Sequence, residues 1–258
     1  MRLMKRILSA AAVLALSASL LVGCSSGTAS SVPVSASSAA ESTVSSVEET
    51  ASSAVDENEA AAAQLLNDLT GSYQELWPVI LADEYKQTWL DVCTTLVGED
   101  NAEAAFEKLS SMVTGDVYGE DAVEAYANGG GAYFCGFTND LATLTFDGAT
   151  STISGTDKDG NVLFSHTYHY IGMEPVRGLY EFQSDDADSG EFTYFFLAPD
   201  TSAETYHIEF RYGSDAEALS QYDTGEYAYW LASGISTDCD QTMIDNCIEL
   251  FCTENLAG

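Results

Sequence analysis

The texture of the chain changes at about Ala132, and that change restricts the fold more than any other feature. From there to Tyr212 the sequence is a succession of short apolar or alternating runs: AYFCGF, ATLTF, STISG, VLFSHTYHYIG, LYEFQ, FTYFFLA and TYHIEFRY. Turn residues stand between them, at Asp147-Gly148, Asp157-Lys158-Asp159-Gly160, Gly178 and the acidic stretch from Asp185 to Gly190. Short strands punctuated in this way belong to an antiparallel sandwich or barrel. Helical periodicity is confined to the two flanks. It runs through an Ala-rich segment from Glu57 to Leu69 that Gly71 stops, through Tyr73 to Leu96 with breaks near Pro78 and Asp83, through Ala102 to Met112, and through Asp238 to Glu254. No βαβ alternation and no internal repeat is present, so a parallel sheet and a solenoid are excluded. The expected fold is α+β and mainly β: an antiparallel barrel or calyx with helices before it and one after it.

The barrel pattern occupies only part of the chain. Residues 1–23 carry a basic start at Arg2, Lys5 and Arg6, then an apolar run, then small residues leading to Cys24. That is an export signal. The apolar run is about fifteen residues, short of the roughly twenty needed to span a bilayer. The ending Leu21-Val22-Gly23-Cys24 resembles a bacterial lipobox, which implies cleavage before Cys24 and its lipidation. Residues 24–56 are Ser, Ala, Thr and Val with scattered acids and no aromatic residue. They bury too little to fold and read as a disordered tether. Residues 57–258 are then one domain held outside the cytoplasm, lipid-anchored to the bacterial cell membrane.

Charge narrows the partners. The full chain has 41 acids against 8 Lys and Arg, a formal charge of −33. Loss of the signal removes three bases and no acid, leaving the mature chain at −36. Such a surface repels nucleic acid and attracts cations, although most of these carboxylates serve solubility. Five cysteines follow Cys24, at 93, 135, 239, 247 and 252. Export suggests disulfides, but an odd count leaves at least one thiol out, and none of the five lies in a CxxC. Enzyme signatures such as GxSxG, HExxH and the P-loop are missing, so the sequence reads as a binding protein rather than an enzyme. The Asp157 to Gly160 segment approximates a calcium loop, lacks its closing Glu, and reads as a hairpin turn.

Within TYHIEFRY, strand alternation sets Tyr206, Ile208, Phe210 and Tyr212 on one face and His207, Glu209 and Arg211 on the other. An imidazole and a carboxylate about 7 Å apart on one face can converge on a divalent ion such as zinc. Two donors do not make a site; a third must come from elsewhere. His166 and His169 fall on opposite faces of their strand, so at most one of them is available.

Several motifs resemble the ZinT (YodA) family of extracytoplasmic zinc-binding proteins. Leu69-Thr70-Gly71-Ser72-Tyr73-Gln74-Glu75-Leu76-Trp77-Pro78 is similar to the family opening W-x-G-x-W-Q-x-x-x-P. Tyr168-His169-Tyr170-Ile171-Gly172 is similar to Y-x-Y-x-G, Arg177 to Phe182 to the G-x-R-Y-L-F-E strand, and His207 to Gly213 with Ser214-Asp215 to H-F-H-I-F-M-G-N-D. The order is kept over most of residues 60–255. The resemblance implies a lipocalin-like barrel holding zinc near its mouth by a lone histidine and an H-x-H pair. That pair corresponds to His207 and Glu209, with a carboxylate replacing the second imidazole. The lone histidine corresponds to Phe195, which cannot bind a metal, and a longer loop from Asp200 to Glu204 follows it. His169 is the candidate that restores a third donor, with Asp200 or Glu204 as oxygen alternatives. The implied function is capture of zinc or a similar divalent cation, with delivery to a metal-uptake transporter. The alternative is a lipocalin-like module for a small apolar ligand, with Phe195 in the space the metal ligand vacated.

Overall fold

A computed structural model describes residues 57–127, 129–199 and 202–257. The signal peptide, Cys24 and the tether lie outside the described residues. Helix α1 covers residues 57–68. Strand β1, Gly71–Glu75, runs directly into helix α2, Leu76–Ile80. Helices α3, Lys86–Val97, α4, Glu99–Val113, and α5, Glu120–Ala125, complete the amino-terminal part. Strands β2, Thr143–Asp147, β3, Thr152–Thr156, and β4, Val162–Thr167, come next. They are followed by β5, His169–Met173, β6, Tyr180–Gln183, β7, Tyr194–Leu197, and β8, His207–Gly213. The chain ends with the one-turn helix α6, Ala216–Leu219, strand β9, Ala232–Ser236, and helix α7, Gln241–Leu256.

The nine strands form one antiparallel sheet in the order β4-β3-β2-β1-β9-β8-β7-β6-β5. It curls into a nearly closed barrel whose ends, β4 and β5, are joined through Tyr168 alone. Aromatic rings fill the interior. Phe164 of β4 lies 5.9 Å from Phe195 of β7, and Phe195 stacks on Tyr212 of β8 at 5.4 Å, so strands far apart in the sheet meet across the core. Phe195 is thus one of the rings of the barrel interior. A second core lies on the outer side of β9 and β8, where Trp77, Trp89, Leu109 and Ile248 from α2, α3, α4 and α7 pack on Ile235. The sheet is thus covered by helices on the side where the alternate residues of β8 emerge.

Four segments differ from the sequence reading. Residues 73–75 are strand, not helix, because Tyr73 to Glu75 pair with Ser236 to Gly234 and Gly71 to Tyr73 with Phe146 to Leu144. AYFCGF forms only isolated bridges through Phe134, to Thr114 and Trp230. Strand β9 was not foreseen. VLFSHTYHYIG, read as one strand, breaks at Tyr168 into β4 and β5. Asp157-Lys158-Asp159-Gly160 is a turn, with the Asp157 carboxylate accepting N–H bonds from Asp159 at 2.9 Å and Asn161 at 2.8 Å.

Candidate metal centre

The register of β8 decides where its polar residues point. Ile208, Phe210 and Tyr212 enter the aromatic interior, so His207 and Glu209 must emerge on the opposite face, toward the helices. Across the ladder His207 pairs with Ile235 and Glu209 with Ser233 of β9. The expected pair therefore stands side by side, but outside the barrel rather than in its mouth. Interior positions went to the even-numbered apolar residues because only they fit among the rings.

His207 and Glu209 line a cavity of about 160 Å³ between the sheet and the helical layer. Trp77 of α2 and the Met112-Val113 end of α4 close one side; Leu250, Phe251, Glu254 and Asn255 of α7 close another. The α7 residues come at i, i+1, i+4 and i+5, one helical face. A smaller adjoining cavity of about 30 Å³ is again lined by His207, Glu209 and Glu254, here with Ile80 and Cys247. Both cavities thus share two carboxylates and an imidazole drawn from β8 and α7. Thr205 is buried, and its hydroxyl lies 2.7 Å from His207 Nδ1. An imidazole held at one nitrogen by a neighbouring oxygen is the arrangement in which metal-binding histidines are oriented through the other.

Two further groups enter the larger cavity. Burial pushes the Cys135 thiol up to about 12, the nearby Glu209 charge adding to the effect. It is therefore a neutral thiol at neutral pH and becomes a ligand only if a metal displaces its proton. Arg177 brings a fixed positive charge. Its guanidinium donates to the Tyr133 hydroxyl at 3.0 Å and lies over the Tyr222 ring at 4.4 Å, so it is held to the aromatic side of the cavity.

The expected third donor is not brought here. His169 lies on β5, separated from β8 by β6 and β7, about 14 Å along the sheet. It is exposed, with Nδ1 3.6 Å from Asp185 Oδ2. Its neighbour in sequence, His166, faces the core and meets Asp186 at 3.0 Å. Phe195 is fully buried and stacked on Phe210 and Tyr212, on the interior side of the sheet away from the cavity. Of the two oxygen alternatives, Asp200 lies outside the described residues, and Glu204 is exposed, its backbone carbonyl accepting from Asn246 at 2.8 Å. Glu254, Cys135 and Arg177 were not singled out in the sequence. Glu254 lies four residues beyond Leu250 on the face that α7 turns to the sheet, and nothing in its local sequence sets it apart from the many other acids. Among the described residues no group of three or more His, Cys, Asp or Glu is arranged to hold a metal ion.

No family model and no curated protein sequence matches the chain. Among solved structures it is similar to the Zn(II)-bound ZinT-like domain of Streptococcus pneumoniae AdcA, at 15% identity over 70% of this chain and 87% of that one, TM-score 0.44. It is also similar to Zn(II)-bound AdcA from Streptococcus pneumoniae, at 16% identity and TM-score 0.40, spanning 71% of this chain and 34% of that one.

Proposed function

We propose that this protein captures a divalent cation, zinc or one of similar size, between β8 and α7. His207 and Glu209 are its ligands from the sheet, and Glu254 is the carboxylate that α7 supplies. The observation that carries this reading is that these three side chains line both of two adjoining cavities. One nitrogen and two carboxylates suit zinc, with water completing a tetrahedron. The ligated state differs from the present one by convergence of long, rotatable glutamate side chains, not by movement of strands. His169 is left out of the set because two strands separate it from β8.

The wider setting follows from the sequence. Cleavage before Cys24 and its lipidation tether the domain by residues 24–56 outside the cytoplasmic membrane, where a surface rich in carboxylates gathers cations. In this reading the protein is a binding protein, not an enzyme, and passes its ion to an uptake transporter.

Titration calorimetry with zinc tests the site. The chain is expected to bind one ion at micromolar affinity or better, the double variant His207→Ala, Glu209→Ala to lose that binding, and Glu254→Gln to weaken it by at least about tenfold. The titration belongs in 0.5 M salt, about the concentration at which diffuse attraction to surface carboxylates is screened within a few ångströms. Binding that is weak, superstoichiometric and unchanged in the double variant would sink the proposal.

A further inference from the structure

The helix that forms one wall of the cavity carries a second piece of chemistry. Cys252 of α7 and Cys93 of α3 are both fully buried, with their Sγ atoms 4.0 Å apart. The two helices pack on one another around them, and Trp89, one turn before Cys93, lies 6.1 Å edge-on from Phe251. Two other sulfurs are aimed elsewhere: the Cys247 thiol donates to the Thr205 carbonyl at 3.2 Å and the Cys135 thiol to the Tyr133 carbonyl at 3.8 Å. The geometry points to a disulfide between Cys93 and Cys252 that fastens α7, and with it the helical wall of the cavity, to α3. A bonded pair sits at about 2.05 Å, so the sulfurs must close by about 2 Å. Small χ1 rotations and a slight helix shift provide that.

The oxidant is an external disulfide. One cysteine thiolate attacks it, expelling one thiolate and leaving a mixed disulfide on the protein. The second cysteine thiolate then attacks the protein sulfur of that bond and expels the other. One S–S bond forms in the protein and one breaks outside it; the two electrons reduce the external disulfide to two thiols, which take up the two protons. Burial pushes both protein thiols above their ordinary range, and each is shielded once the helices have closed. Thiolate is therefore scarce in the folded chain, and the bond is made while the chain folds.

The test is to refold the full chain, reduced and denatured, in a glutathione redox buffer, quench in acid, alkylate the remaining thiols, digest, and weigh the peptides. A linked pair joining residue 93 to residue 252 is expected, with both sulfurs protected from alkylation. In Cys93→Ser, a near-isosteric change, Cys252 becomes alkylated. Hydrogen exchange of the α7 amides is expected to be slower in the oxidised protein than after reduction by a phosphine. Alkylation of both residues in the refolded wild type, or bonding of either to a different cysteine, overturns the pairing. Equal exchange in the two forms overturns the fastening of α7. Neither readout involves zinc, so this inference and the cation site fail separately.

Discussion

Arg211 shares a strand face with His207 and Glu209, yet its role is structural. It is fully buried, and its guanidinium donates to the carbonyls of Leu219 and Tyr227 and, at 3.1 Å, to that of Gln221. The Tyr222 ring covers it at 4.4 Å, with Arg177 on that same ring. Burial lowers its pKa to about 10, which leaves it charged at neutral pH. The segment that follows β8 is thus tied down by one side chain. Arg211→Ala should remove about 3–5 kcal/mol of stability, because it orphans buried carbonyls as well as deleting a cation, and urea denaturation reads this directly. Arg211→Lys should recover only part, since an ammonium cannot reproduce the fork. This residue also marks what sequence can and cannot tell. Alternation in TYHIEFRY correctly set His207, Glu209 and Arg211 apart from Ile208, Phe210 and Tyr212. It could not say that one member of the polar face lies under a loop while the other two border a cavity, because periodicity encodes direction and not depth. Glu254 was invisible for a related reason: its proximity to β8 comes from the docking of α7, a contact between residues far apart in sequence.

At the scale of elements, the strands legible in advance were those with their own apolar or alternating runs, β2 to β8, with β4 and β5 read as one run. Those that were missed are held by their neighbours. Residues of β9, ASGIS, offer almost no β-branched or aromatic signal, but are buried because β1 and β8 flank them. A Cβ at Gly234 would lie 3.1 Å from Ile208 Cγ1, so small residues are what this crowded seam admits. Tyr73 of β1 stands at helical spacing from Leu76 and Trp77 of α2, so the three mimic one continuous helical face, and tertiary pairing overrides that local preference as far as Glu75. Close approach also explains Gly148, in the turn between β2 and β3. A Cβ there would stand 2.5 Å from Asn67 Cα and 2.6 Å from Leu66 O, both backbone atoms of the segment that ends α1. Gly148→Ala must therefore push α1 away from the barrel. A loss of about 1–3 kcal/mol is expected, seen as a lower thermal midpoint with far-UV circular dichroism otherwise native. An unchanged midpoint would mean that α1 is not seated on this turn.

For the molecule as a whole, the aromatic filling of the barrel fixes how it should respond to alkali. Burial, with a smaller effect of Tyr206, raises the Tyr73 phenol to about 12; burial, followed by the Glu226 charge, raises Tyr227 to about 12. Tyr168, Tyr212 and Tyr222 are pushed higher still, burial again the main cause. In the unfolded chain all five titrate near 10. A folded pKa above the unfolded one means that the folded state holds its protons more tightly, so this stabilisation is complete below pH 10. It is lost as pH rises from 10 through 12 and beyond. Ionising these buried phenols, four of them inside the barrel and Tyr222 outside it, also adds negative charge to a chain that already carries −33, so each deprotonation makes the next state more self-repelling. The expected outcome is a cooperative transition between about pH 10 and 12. Tyrosinate absorbance of the buried set should rise together with loss of near-ultraviolet dichroism, and added salt should shift the midpoint upward by screening. Were the whole tyrosine complement to ionise with the dichroism intact, the rings would be open to solvent, and the packed interior that forces His207 and Glu209 to the outer face of the sheet would not exist.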